Sequence, residues 1–438
     1  MGIHSLLNKK FICPFCKKQH YIPTKEVIIK KDAISLLPSF LSHLIKKRKI
    51  LILSDNITYQ IAGKKCEKIL KDKFNVSSLI LFPLKSKRVY AEEKYLPKIL
   101  KESQNKDGIL TVGTGTITDL GKYTANQLNL PVISFPTAPS MNAYTSGVSA
   151  LLSKGLKVTL PVRPALAVLT DLNIISNAPL DLIKAGFADS LAKASANGDW
   201  KISSLITGED FCPLPLKITT EAEKRYINQG DKLIQRDQKT ISSLMEGLIL
   251  GGFSMVIAGK SSPASGGEHL ISHFLDMEAH KQKKEPFSYH GLQVGLGIII
   301  SSYIYERLKN FSAKDVKKRL LNKNINYEEK LKSFGKDASS IKKEFEKKIP
   351  ILKKLPQKLP SLWEQIKEES FPLVYSPKEI KKYLRKAKCP LHFEEIGVNK
   401  GLAYRTIMYA RYIRGRLTIL DIADELGILE EITENFIK

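Results

Sequence analysis

The sequence predicts an α/β domain built on a parallel sheet, followed by an all-α domain. Three observations predict it. Short apolar runs alternate with helical stretches through the first third of the chain, the pattern of βαβ units. One of those runs leads straight into Gly113-Thr-Gly-Thr116, a glycine turn between a strand and a helix. From about Pro179 onward the strand signals disappear and only helical periodicity remains. A chain of 438 residues exceeds one ordinary core, so the expected division is residues 1–178 and residues 179–438.

The elements follow in order. Lys49 to Ser54 is a short apolar run ending at Asp55, and a helix is expected from about Tyr59 to Phe74. Ser78 to Phe82 is a second strand, and a helix around Glu92 to Glu102 comes next. Gly108 to Val112 is the third strand, and the helix after its glycine turn ends near Leu128. Val132 to Phe135 and Ala165 to Thr170 complete the strands. Helices are then expected over Leu180 to Ala196, Thr219 to Ile257, Glu268 to Leu275 and Gly291 to Leu308, with Lys-rich helices from Lys314 to Lys382.

Composition narrows the function. Hydrophobic residues make up 43% and charged residues 26%, as in globular proteins. Apolar stretches such as Val294 to Ile300 are far short of a membrane span, and the N-terminus lacks the apolar core of a signal peptide; a cytoplasmic location is expected. The net charge of +26 raises nucleic-acid binding. The basic residues are mostly Lys and spread along the chain, with no recognisable nucleic-acid module, so no specific nucleic-acid partner is expected. The charge reads as a Lys-coated surface that attracts anionic substrates. Five scattered cysteines argue against a disulfide framework. Cys13-Pro-Phe-Cys16 with His20 has the look of part of a zinc knuckle, but no second Cys pair follows at suitable spacing.

The Gly113–Thr116 turn has the context a pyrophosphate site needs: glycines let a backbone come close, and helix N-terminal N–H groups point at the anion. That makes the first domain Rossmann-like. Asp55 at a strand end would hold a ribose diol and repel a 2′-phosphate, favouring NAD(H) over NADP(H).

Four of the eight histidines fall between His269 and His290. His269 and His273 are i, i+4 and share a helix face. His290 opens the next helix, and Asp189 is a carboxylate on an otherwise apolar helical stretch that wants a partner. Two readings are open. His269 and His273 bind a metal together, or His269 joins Asp189 and His290 in a three-ligand site with open positions, suited to a catalytic metal.

With these residues in hand the chain resembles the sn-glycerol-1-phosphate dehydrogenases, especially their bacterial form, within the iron-containing alcohol dehydrogenase and dehydroquinate synthase-like superfamily. The segments that carry the resemblance run in order. They are Cys13 to Thr24, Ser54 to Tyr59, Gly113 to Asp119, Phe135 to Met141, Arg163 to Asp171 and Ala185 to Asp189. Gly208 to Pro213, Pro263 to His269, His290-Gly291 and Ile413 to Asp421 follow.

The resemblance implies that Asp189, His269 and His290 hold one divalent metal, zinc, nickel or iron. It gives Gly113, Thr114, Gly115, Thr116 and Ile117 to the pyrophosphate, Asp55 to the ribose, and Thr137, Ser140 and Ser146 to a second cofactor loop. Asn142, Asp189 and His273 are then substrate contacts, and Asp189 and His273 the catalytic residues. The first domain would bind the dinucleotide and the second the metal and substrate, with the active site in the cleft between them. The implied reaction passes a hydride between NAD(P)H and dihydroxyacetone phosphate, or a closely related phosphorylated ketone, in phospholipid biosynthesis. The resemblance leaves room for a homo-oligomer. A sugar-phosphate cyclase using NAD transiently and a non-catalytic relative are the alternatives. Four positions depart from the family pattern: Asn142 stands where the family has Asp, followed by Ala143 instead of Gly. Ser262 precedes Pro263 where Arg is usual, with Lys260 nearby, and Ala188 replaces a Gly.

Overall fold

The computed structural model of the chain describes residues 2–84, 86–153, 155–321 and 326–437. The described residues contain ten strands. They are β1 (Lys9–Ile12), β2 (Gln19–Ile22), β3 (Glu26–Lys30), β4 (Lys49–Asp55) and β5 (Asn75–Leu81), then β6 (Gly108–Gly113), β7 (Val132–Pro136), β8 (Val148–Ser153), β9 (Leu156–Pro161) and β10 (Ala167–Asp171). Six form one sheet in the order β3-β10-β7-β6-β4-β5, every neighbouring pair parallel. The five strands read from the sequence are all in it. β3 joins them at one edge, and the antiparallel hairpins β1–β2 and β8–β9 stand outside.

The inner strands are apolar because both faces are covered. All residues of β6, β7 and β10 are buried. In β4, Ile50 and Ile52 enter one core with Phe40, Leu110 and Phe135. Leu51 and Leu53 enter the other with Ile109, Ile117 and Leu120. That is the period-two alternation of a strand. β5 lies at the edge, mixes polar and apolar residues, and begins at Asn75, earlier than its apolar run suggests.

The chain divides into two compact units: Met1–Ser190 with Pro213–Ser261, and Leu191–Cys212 with Ser262–Lys438. The division falls inside the helix Leu180–Thr207, which runs a full three turns past the expected Ala196 (roughly 3.6 residues per turn). The stretch expected as one helix from Thr219 to Ile257 is three: Leu214–Glu223, Gly230–Ile234 and Gln238–Ala258. Asp237 starts the last of these, its carboxylate accepting from the Thr240 N–H at 2.8 Å. In the second unit the helices Gly267–Lys281 and His290–Leu308 carry the histidine segment. Helices occupy the Lys-rich region as expected, apart from residues 322–325, which lie outside the described residues.

The helix Gln238–Ala258 is long and apolar enough to cross a membrane by length and composition alone, which the short apolar runs read from the sequence did not bring out. Its most apolar window is 72% buried within the protein, which is the condition of a core helix.

Candidate metal and dinucleotide site

The sheet order reverses around β4: β5 lies on one side of it and β6 on the other. Ligands of doubly wound sheets bind outside the carboxyl ends of strands at such a switch point. Asp55 ends β4 and Gly113 ends β6, and the two strands are in direct register, Leu53 opposite Thr111. Gly113 also pairs with Pro136 at the end of β7, and the Thr137 N–H donates to the Gly113 carbonyl at 3.1 Å. Three of the segments singled out in the sequence therefore meet at neighbouring strand ends.

Thr114 precedes the helix Gly115–Gln127 in an extended conformation, without a side-chain cap, and the first turn carries no acidic residue. Its N–H groups and the positive end of its dipole are left for an anion. Ile117, by contrast, is fully buried in the core, so only its backbone can face a ligand. Asp55 is half-buried, and its Oδ1 accepts from the N–H groups of Ile57 and Thr58 at 2.9 and 2.7 Å. That capping fixes the carboxylate at the strand end.

The second loop is tied down by a residue the sequence reading passed over. Lys122, 1% exposed, donates to the carbonyls of Ala143, Ser146 and Val148 at 2.7, 3.1 and 2.6 Å, and to Ser146 Oγ at 2.8 Å. Burial lowers its pKa, and Asp119, 3.4 Å away, acts in the opposite sense. The Ser146 hydroxyl is thus engaged with Lys122 and the Val148 carbonyl. Ser140 Oγ lies 3.3 Å from the Tyr144 hydroxyl, which donates to the Ala138 carbonyl. Thr137, Ser140 and Asn142 are each less than a tenth exposed. The signal for Lys122 was present as Asp119-x-x-Lys122, two charges on a helix that is otherwise buried.

Asp189, His269 and His290 come together, one donor atom from each lying within 4.8 Å of the others. Two glycines permit the close packing behind them. A Cβ at Gly186 would meet the Pro139 carbonyl oxygen at 1.7 Å, and one at Gly297 would meet the Glu268 carbonyl oxygen at 2.4 Å. The first lets the Asp189 helix touch the loop that carries Ser140. The second lets the helix that His290 begins lie against the backbone next to His269.

Each imidazole is oriented through its Nδ1. That of His269 is 3.0 Å from Oε1 of Glu268, a carboxylate that also accepts from the Gly266 N–H at 2.6 Å and Ser195 Oγ at 3.0 Å. That of His290 is 2.9 Å from Ser272 Oγ, an oxygen that also accepts from Gln293 Nε2 at 3.3 Å. Both arrangements favour Nδ1–H as donor and leave Nε2 with a lone pair. This is how ligating histidines are held, and one carboxylate with two imidazoles suits zinc, nickel or iron. His273 is near but outside this group: its ring stacks on that of His290 at 5.6 Å and lies 6.1 Å from that of His269.

Below Glu268 is a second buried acid. Asp199 accepts from the Tyr305 hydroxyl at 2.7 Å and from the N–H groups of Gly267 and Ile419 at 2.8 and 3.1 Å. Burial first, and then the Glu268 charge, push its carboxyl well above the ordinary range. It clamps the start of the His269 helix, and nothing in its sequence context marked it.

A parallel sheet with a glycine turn at its switch point, in a chain that also groups an Asp with two His, is the arrangement of a metal-dependent alcohol dehydrogenase. The family model for iron-containing alcohol dehydrogenase matches residues 28–179. The structure of glycerol dehydrogenase from Schizosaccharomyces pombe superposes with a TM-score of 0.60 at 15% identity, covering 94% of this chain and 90% of that one. A glycerol-1-phosphate dehydrogenase [NAD(P)+] from Bacillus licheniformis is 29% identical over 412 residues, 94% of this chain and 91% of that one. Another, from Halalkalibacterium halodurans, is 31% identical over 308 residues, 69% of this chain and 77% of that one. The chain belongs to the glycerol-1-phosphate dehydrogenase family.

Proposed function

We propose that this chain is an NAD(P)H-dependent oxidoreductase that reduces dihydroxyacetone phosphate to sn-glycerol 1-phosphate, with Asp189, His269 and His290 as ligands of one divalent metal. The observation that carries the reading is the convergence of those three donors, with Glu268 and Ser272 orienting the two imidazoles. The names of the relatives from Bacillus licheniformis and Halalkalibacterium halodurans supply the substrate and cofactor.

When bound, the metal supplies Lewis acidity toward a ketone oxygen, and the dinucleotide supplies the hydride. The chain's own residues do the rest. Residues 1–178 bind the dinucleotide: Gly113 to Ile117 present N–H groups to the pyrophosphate, and Asp55 takes the ribose diol. Asp55 also repels a 2′-phosphate, so NADH is preferred. Thr137, Ser140 and Ser146 line the nicotinamide end, with Lys122 holding the backbone around Ser146. Residues 179–438 hold metal and substrate. Asn142 hydrogen-bonds the substrate, and His273 holds or passes a proton at a ring nitrogen, a role suited to imidazole near neutral pH. A cytoplasmic location and a place in phospholipid biosynthesis go with this reading. The direct test is NADH oxidation with dihydroxyacetone phosphate, followed beside metal content.

A further inference from the structure

We propose that Cys13, Cys16, His20 and Cys212 form a second metal site, a structural Zn2+ site of three thiolates and one imidazole. One donor atom from each of the four residues lies within 4.8 Å of the others. A tetrahedral zinc, with Zn–S about 2.3 Å and Zn–N about 2.0–2.1 Å, places its donors roughly 3.5–3.8 Å apart. Closing the group around an ion therefore asks for shifts of about 1 Å at most. One pair is already tight, Cys16 Sγ to His20 Nε2 at 3.1 Å.

The sequence showed only part of this group, because Cys-x-x-Cys and the nearby histidine supply three donors and the fourth is remote. The hairpin builds the first three. β1 and β2 pair with Ile12 opposite Gln19. The Cys13 N–H donates to the Lys18 carbonyl at 2.9 Å, and the Lys17 N–H to the Cys13 carbonyl at 3.0 Å. Lys17 takes a left-handed conformation, φ 59°, which closes the turn with Cys13 and Cys16 on one side. Cys212 arrives immediately before Pro213 and the helix Leu214–Glu223. That helix meets the hairpin tip: Lys217 Nζ sits 4.0 Å from the centroid of the Phe15 ring, and Pro14, Phe15, Leu214 and Lys217 line one shallow depression.

Two physical points favour a metal over a disulfide. The hairpin has two strands of four residues with little apolar burial; Ile12, Phe15 and Tyr21 are 63%, 41% and 42% exposed. An isolated two-stranded hairpin is marginal in water, so this one needs a tie to the helix. A Cys13–Cys16 disulfide would close only the turn and leave Cys212 and His20 unused, whereas zinc joins the hairpin to the helix. Three thiolates on Zn2+ leave one net negative charge, and Lys17 and Lys18 follow Cys16 directly. With all four positions filled by protein, the site is closed and structural.

The test uses the full chain purified under reducing conditions. Metal is counted by mass spectrometry in the His269→Ala variant, which lacks a ligand of the Asp189 group, and in the same variant carrying Cys212→Ser or His20→Cys. The proposal expects one zinc per chain in His269→Ala, less than a tenth of that with Cys212→Ser, and retention with His20→Cys, which keeps four ligands. Cobalt-loaded parent protein should show a thiolate-to-cobalt charge-transfer band; the Asp189 group has no sulfur, so such a band belongs to the cysteines. Absence of that band from the intact parent overturns the proposal even if the cysteine variants fail to fold. So does zinc retained by a folded Cys212→Ser chain, or a Cys13–Cys16 disulfide in place of metal.

Discussion

The Glu268 carboxylate is fully buried and lies 3.0 Å from Nδ1 of His269. A buried carboxylate in that position fixes the ring and its tautomer and raises the basicity of Nε2. Glu268→Gln keeps the shape and removes the charge. It should weaken metal binding by about 10–100-fold, the range for partners that orient a ligating histidine. Zinc affinity measured by competition with a chelator checks this; an unchanged affinity would mean that Glu268 only packs the helix start.

Asp55 caps the end of β4 with Oδ1, at the switch point where a ribose would sit. Asp55→Gly should narrow or reverse a preference for NADH over NADPH. The kcat/KM ratio for the two cofactors, in parent and variant, measures it. Equal values in the parent would remove the assigned role. The variant also loses the capping bonds, worth about 0.5–2 kcal/mol, so its Tm should fall as well.

Asn142 is buried, at 8% exposed, and does not cap the turn that follows it. Its amide is therefore not needed to hold the backbone there. On the substrate role proposed for this position, Asp in its place would accept hydrogen bonds from substrate hydroxyls and add a negative charge. Asn142→Asp should raise kcat/KM for dihydroxyacetone phosphate by about 1–3 kcal/mol of transition-state stabilisation. A variant no better than the parent would show Asn142 to be the working residue already.

How much of this was legible in the sequence depended on the range of the interactions. The inner strands could be read because burial on both faces leaves continuous apolar runs, as in Ile50 to Leu53. The hairpin β1–β2 could not, since its four-residue strands carry lysines and exposed side chains. β8 and β9 escaped notice because they are half-buried and lie outside the main sheet. Spacing placed His269 and His273 on one helix face and suggested a pair. The alternative that the spacing left open, and the resemblance favoured, is the one whose donors lie together in the structure: His269 with Asp189 and His290, a grouping set by three separate helices. Lys122, Asp199 and Glu268 act through contacts distant in sequence or through burial, and local patterns carry neither.

The helical unit offers a test of its own. Asp421, fully buried, accepts from Lys348 Nζ at 2.9 Å and Arg411 Nε at 2.8 Å. Burial alone would raise its carboxyl; the charges of Lys348 and Arg411 outweigh that and hold it below the ordinary value. A depressed folded-state pKa contributes stability that is full above the unfolded value, about 3.9, and is lost as pH falls through the folded one. Asp421→Asn leaves two buried cations short of a partner and should cost about 3–5 kcal/mol at neutral pH. The gap between parent and variant should shrink below about pH 4. Denaturant unfolding at both pH values checks it; a gap independent of pH would place the cost in packing.

The central claim is tested most directly by measuring metal content and NADH oxidation with dihydroxyacetone phosphate side by side, in the parent and in Asp189→Asn, His269→Ala and His290→Ala. Three ligands are the fewest that hold a catalytic metal, so the loss of any one should release it. The account predicts that the parent oxidises one NADH for each sn-glycerol 1-phosphate formed. Each variant should lose both the metal of this site and the turnover. Full metal and full rate in any of the three variants, or a metal-loaded parent that oxidises no NADH with this substrate, would contradict it.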